Sequence, residues 1–183
     1  MTERPRRRAL WVQFALLAAV VVVADQATKA LLVGSLRPGE STAVIGDLLR
    51  FVHAQNSGGL FGLFRDAAPI FAVASIVVIG LIAWYHGQAG RSPYLTLTLG
   101  LLLGGAIGNL IDRLRYGHVV DWVDAGLGSV RFYTFNVADA AISLSVLMLI
   151  LVAIRPSLAE PRPPAAADTS DPGPEPEPAG PRA

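Results

Sequence analysis

The sequence predicts an all-α integral membrane protein: a four-transmembrane-helix bundle with a small extracytoplasmic β-hairpin or sheet element in its first outer loop. Three observations predict it. The chain is 52% hydrophobic with a mean hydropathy of +0.49, above ordinary soluble composition. Four apolar runs each approach the roughly 20 residues that a helix needs to cross a bilayer core of about 30 Å. Between the first two runs lie two short apolar segments separated by Gly46-Asp47 rather than a further long apolar stretch.

The first run spans about 9–33 and is opened by Arg4, Arg6, Arg7 and Arg8. A signal peptide begins in the same way, but this stretch is too long and no small-x-small cleavage site precedes a soluble domain, so it reads as a retained helix. The other spans are expected at about 67–85, 93–111 and 137–154. In the first connection, Ala43-Val44-Ile45 and Leu48-Leu49-Arg50-Phe51-Val52 flank Gly46-Asp47, the pattern of a strand pair about a turn. Leu60, Phe61, Leu63 and Phe64 follow among glycines, a stretch suited to the membrane interface or to covering a lipid-facing site. Gly100, Gly104 and Gly108 form a small-xxx-small ridge on the third helix, along which a neighbour can approach closely. Gly105 is expected to leave room for a substrate beside Asn109.

The dense arginine cluster places the N-terminus in the cytoplasm by the positive-inside rule. Four spans then return the C-terminus to the same side. The longer connections, 34–66 and 112–136, face outward. Residues 1–155 are expected to form one membrane domain. From Pro156 to Ala183 the composition turns to Pro, Ala, Glu and Asp, which reads as a disordered cytoplasmic tail.

Several function classes drop out. The net charge of +1 leaves no footprint for nucleic acid. There is no cysteine, hence no disulfide, thiolate site or cysteine nucleophile. His53, His86 and His118 are far apart and form no HExxH pattern, so a zinc hydrolase is not expected.

Ionisable groups within spans are costly and therefore mark functional sites. The candidates are Asp25 and Lys29 in the first helix, Asn109, Asp112 and Arg113 ending the third, and Asp139 opening the fourth, with Asp121 and Asp124 in the second outer connection. All fall toward the outer face. Each also has a plainer explanation. Asp25 and Lys29, four apart, suit an ion pair. Asn109, Asp112 and Arg113 suit a helix end, with Arg113 reaching water. Asn136 and Asp139 suit a capping box, which spacing alone favours over catalysis. Two other function classes stay open here: a small proton or ion translocator, and a non-catalytic packing subunit.

Five segments narrow these choices: Asp25-Gln26-Ala27-Thr28-Lys29, Asn56-Ser57-Gly58-Gly59-Leu60-Phe61, Gly104 to Arg113, Val119-Val120-Asp121-Trp122 and Phe135-Asn136-Val137-Ala138-Asp139. In order and spacing they resemble the prolipoprotein signal peptidases (signal peptidase II) over roughly 9–154. The resemblance implies an aspartyl endopeptidase of the bacterial cytoplasmic (inner) membrane, active toward the extracytoplasmic face and working as a monomer among membrane lipids. Its substrates would be lipid-modified prolipoproteins, and it would need no cofactor and no metal. Asp121 and Asp139 match the catalytic dyad. Asn56, Gly105, Asn109, Arg113 and Asn136 match the substrate site, while Asp25, Lys29, Asp112 and Ala138 match structural or positioning residues.

Overall fold

The computed structural model describes residues 3–58, 68–89 and 92–160. Four long helices are present: α1 (Glu3–Ser35), α2 (Ala68–Ala89), α3 (Pro93–Tyr116) and α4 (Val137–Ile154). All four are long and apolar enough to cross a membrane. Large apolar side chains such as Leu16, Val20, Ile76, Leu81, Leu147 and Ile150 lie exposed on α1, α2 and α4, as a lipid-facing surface requires. α3 is the central helix and packs against the other three. Phe14, Ala18, Ile82, Leu95, Leu99 and Leu103 form the core between them.

The glycine ridge of α3 does what its spacing predicts. A Cβ on Gly104 would meet Val21 Cβ at 2.6 Å and the Ala18 carbonyl at 2.8 Å, so α1 lies directly on this face. Gly100 approaches Leu17 and Phe14 in the same way, and Gly108 approaches Asp25. Close backbone approach of this kind replaces the hydrophobic drive that lipid does not provide.

The fold is not all-α, which corrects the expected class. Both connections at one end of the bundle join in a four-stranded antiparallel sheet of order β1-β2-β3-β4. β1 (Ser41–Ile45) and β2 (Leu49–Asn56) form the expected hairpin about Gly46-Asp47. β3 (Val119–Leu127) and β4 (Val130–Arg131) come from the second connection, for which no strand was expected. β3 pairs with β2 along most of its length, setting Ala54 opposite Asp121 and Asn56 opposite Val119. Asp47 ties the two hairpin turns together, accepting from the Gly128 backbone N–H and from Arg50 and Arg131. The Gly128 N–H, helped by the two arginines, holds its carboxyl below the ordinary range.

The end of α3 also differs from the expected span. α3 runs five residues past the expected 111 to Tyr116 and is ended by Gly117, whose φ of 74° suits a left-handed C-cap. Asn109 and Asp112 therefore lie inside the helix, and Arg113 lies in its last turn. After α4, Pro156–Ala159 forms a single 3-10 turn that packs back on the bundle, with the Ser92 hydroxyl donating to the Leu158 carbonyl at 3.4 Å. The expected tail lies outside the described residues from 161 onward, as does the apolar stretch Leu60–Phe64. Truncation after Glu160 is expected to leave activity and melting temperature at the full-length level, measured on detergent-solubilised protein; a loss of activity would give the tail a role in the site.

Candidate active site

The sheet end of the bundle is where the polar residues meet. α1 contributes Asp25, Gln26 and Lys29; α3 contributes Asn109, Asp112 and Arg113; β2 and β3 contribute Asn56 and Asp121; the start of α4 contributes Asn136 and Asp139. Asp25, Lys29, Asn109, Asp112, Asp121 and Asn136 are all buried. Groups this deep need complete pairing, and these have it.

Lys29 Nζ lies 2.8 Å from Asp25 Oδ2 and 2.7 Å from Asp112 Oδ2, a buried triad rather than the simple pair that spacing suggested. Its ammonium also donates to Asn109 Oδ1 at 3.2 Å. Asp25 Oδ1 accepts the Ala138 backbone N–H at 2.9 Å, and Asp112 Oδ2 accepts the Val120 N–H at 3.1 Å. Gln26 was not singled out among the candidates, yet its Nε2 donates to Asp112 Oδ1 at 2.9 Å and to the Gly108 carbonyl at 3.2 Å. A polar amide one residue from Asp25, inside an apolar run, was the available signal.

Asn136 is the hinge of the site. Its side-chain oxygen caps α4 by accepting the Asp139 N–H at 2.9 Å, while Asp139 Oδ2 accepts the Asn136 N–H at 3.2 Å. This is the capping box read from the spacing. The same Asn136 turns its Nδ2 to Asp121 Oδ1 at 2.8 Å. One residue thus bonds to both aspartates. Each aspartate has a second amide donor: Asn56 Nδ2 reaches Asp121 Oδ2 at 3.0 Å and Asn109 Nδ2 reaches Asp139 Oδ1 at 2.7 Å. Capping and site membership are both true of Asp139.

Burial, reinforced by the like charge of Asp139, pushes the Asp121 carboxyl up to about 7, against the opposing bonds from Asn56 and Asn136. A carboxyl that keeps its proton near neutral pH beside a second carboxyl is equipped for acid–base work.

Arg113 donates to the Asn109 carbonyl at 3.3 Å and to the Gly58 carbonyl at 3.5 Å, and lies over the Phe71 ring at 5.6 Å. Its Nε–H and the Trp122 Nε1–H are buried and have no acceptor among the described residues.

Two expected members stand apart from the network. Asp124 pairs with Arg131 at 2.7 Å, three residues along β3 and therefore on its other face. Gly105 makes no room for a substrate: a Cβ there would meet the Ala138 carbonyl at 2.6 Å and Ile142 Cγ1 at 2.7 Å, so the space is filled by α4. Ala138 is fully buried at that contact.

The same chain regions match known proteins. A model of the family described as signal peptidase (SPase) II matches residues 17–155. The lipoprotein signal peptidase of Caulobacter vibrioides is 43% identical over 152 residues, covering 77% of this chain and 85% of that protein. That of Moorella thermoacetica is 41% identical over 137 residues, covering 74% and 89%. A solved structure described as a bacterial membrane enzyme, determined in meso at 2.3 Å, superposes with a TM-score of 0.71 at 27% identity, covering 79% of this chain and 88% of the other. The matched span takes in every residue of the buried network, and the chain belongs to the signal peptidase II family.

Proposed function

We propose that the protein is an intramembrane aspartyl endopeptidase that removes signal peptides from bacterial prolipoproteins, cutting before a lipid-modified cysteine, with Asp121 and Asp139 as its catalytic dyad. The observation that carries this reading is the bonding of both carboxyls to one residue, Asn136. The relatives' name, lipoprotein signal peptidase, supports the substrate class.

In this mechanism the pair shares one proton, because two carboxylates at close range do not both ionise cheaply. The ionised member takes a proton from water as the water oxygen bonds to the scissile carbonyl carbon. The protonated member donates to the developing oxyanion and then helps protonate the leaving nitrogen as the C–N bond breaks. The signal peptide leaves with a new carboxylate and the lipoprotein keeps the free amine of its modified cysteine. Asn56, Asn109 and Asn136 hold the carboxyl oxygens in place. Arg113, with an Nε–H free of described acceptors, is placed in this reading as a donor to substrate carbonyls.

The protein works in this account as a monomer in the cytoplasmic membrane, with both termini cytoplasmic and the sheet end outward. Four arginines in the first turns of α1 support that orientation. A proton or ion translocator is not favoured: the buried charged groups gather at the sheet end and α2 contains no Asp, Glu, Lys or Arg.

The pH dependence follows from Asp121. Its proton is retained below about 7 and lost above it, and the reaction needs that proton, so activity falls as pH rises through about 7, approaching about tenfold per unit for a one-proton requirement. A pH profile of kcat for a lipid-modified propeptide checks this. A rate that climbs from neutral into alkaline pH would contradict the shared-proton mechanism.

A further inference from the structure

A buried charge triad is a poor way to gain stability, because desolvation offsets most of the attraction and apolar packing does as well. The Lys29 triad therefore raises the question of what its geometry accomplishes. An ammonium carries three N–H groups and no acceptor. The three short contacts of Lys29 are to Asp25 Oδ2, Asp112 Oδ2 and Asn109 Oδ1. Each of these partners then touches the segment that carries an aspartate of the proposed dyad. Asp25 holds the N–H of Ala138, the residue before Asp139. Asp112 holds the N–H of Val120, the residue before Asp121. Asn109 holds the Asp139 carboxyl itself.

The Asn109 contact has a direction. A carboxamide accepts through oxygen and donates through nitrogen, and its two ends are nearly alike in shape. Lys29 can only donate, and Asn136 Nδ2 also donates toward the same oxygen at 3.3 Å. Together they fix the Asn109 oxygen inward and its N–H toward Asp139.

We infer that Lys29 is a positioning residue: its single ammonium, through Asp25, Asp112 and Asn109, sets the separation and orientation of Asp121 and Asp139. This deepens the dyad reading and rests on it. A strand and a helix that are distant in sequence are brought into register by one point charge on a third element. Lys29 is only 3% exposed, and its own atoms bond to neither aspartate of the pair.

Two variants test it. In the triple variant Lys29→Met/Asp25→Asn/Asp112→Asn the triad is neutral, while the amide oxygens still offer acceptors to the Ala138 and Val120 N–H groups. In Lys29→Arg the charge remains, but a planar guanidinium does not present three N–H groups from one atom. Both are scored as kcat per binding site, with sites counted by binding of a non-cleavable lipid-modified propeptide. The inference expects binding sites of unchanged affinity, kcat per site lowered about 100-fold in the triple variant, and a smaller loss in Lys29→Arg, since misplacement by about 1 Å costs that much. Wild-type kcat per site in the triple variant overturns it. So does loss of all binding in both variants, which would give Lys29 a role in the fold alone. If the wild-type protein itself does not cleave, the proposed function fails instead, so the two failures are distinguishable.

Discussion

Asp121→Asn and Asp139→Asn are each expected to lower the cleavage rate by about 10⁴-fold, the upper end of what a positioned acid–base group contributes. Asparagine keeps the shape of aspartate and keeps an oxygen to accept one amide bond. At Asp121 that oxygen meets Asn136 Nδ2 or Asn56 Nδ2; at Asp139 it meets Asn109 Nδ2 or the Asn136 N–H. Neither variant leaves a buried charge unpaired, so both are expected to purify as folded membrane protein with near wild-type substrate affinity. A kcat that falls while KM stands identifies the lost interaction as one made in the transition state. Full activity in either variant removes that aspartate from the chemistry. The double variant is expected to be no worse than either single one, because two residues acting as a unit are not additive.

Gly105→Ala is expected to damage both packing and activity from outside the charged network. The added methyl lands 2.6 Å from a backbone oxygen, Ala138 O, and 2.7 Å from Ile142 Cγ1. A backbone atom has no rotamer by which to escape, so α4 must shift. Overpacking of this kind costs about 1–3 kcal/mol. The shift begins one residue from Asp139, so activity is expected to fall about 100-fold as well. Thermal unfolding in detergent alongside kcat measures both. Wild-type stability and activity would show that the α3–α4 contact has slack that the short distances deny.

These residues also show what the chain reveals before it is folded. The four long apolar helices were legible because lipid requires long uninterrupted apolar runs, and α4 runs from Val137 to Ile154. The end of α3 was not. Asn109, Asp112 and Arg113 look like an interface when read along the chain, but Gln26 and Lys29 on α1 satisfy the first two inside the bundle. Pairing across 80 or more residues leaves no trace in local pattern. β3 was missed for a related reason. Val119, Val120 and Asp121 are all buried, so the strand shows no alternation of apolar and polar residues at its start. Its aspartate looks like an interruption until Asn56 and Asn136 are seen on either side.

The glycines give the sharpest case. Gly104 and Gly105 are neighbours, and successive helical residues point about 100° apart. Gly104 therefore faces α1 and Gly105 faces α4. Four-residue spacing announced the first contact. No four-residue repeat announced the second, since positions 101 and 109 are Leu and Asn; Gly108, three residues on, touches Ala138 of α4 as well as Asp25. The aspartate pair itself stood in between. Polar residues sorting to one end located the region, capping explained Asp139 equally well, and only the order of five segments, matching the signal peptidase II pattern, singled out Asp121 and Asp139.

The most direct test of the central claim is the mass of the peptide released when purified protein acts on a lipid-modified prolipoprotein. The account predicts a signal peptide ending at the residue before the modified cysteine, produced by the wild-type protein and by neither Asp121→Asn nor Asp139→Asn. Release at another bond, or undiminished release by either variant, would contradict it.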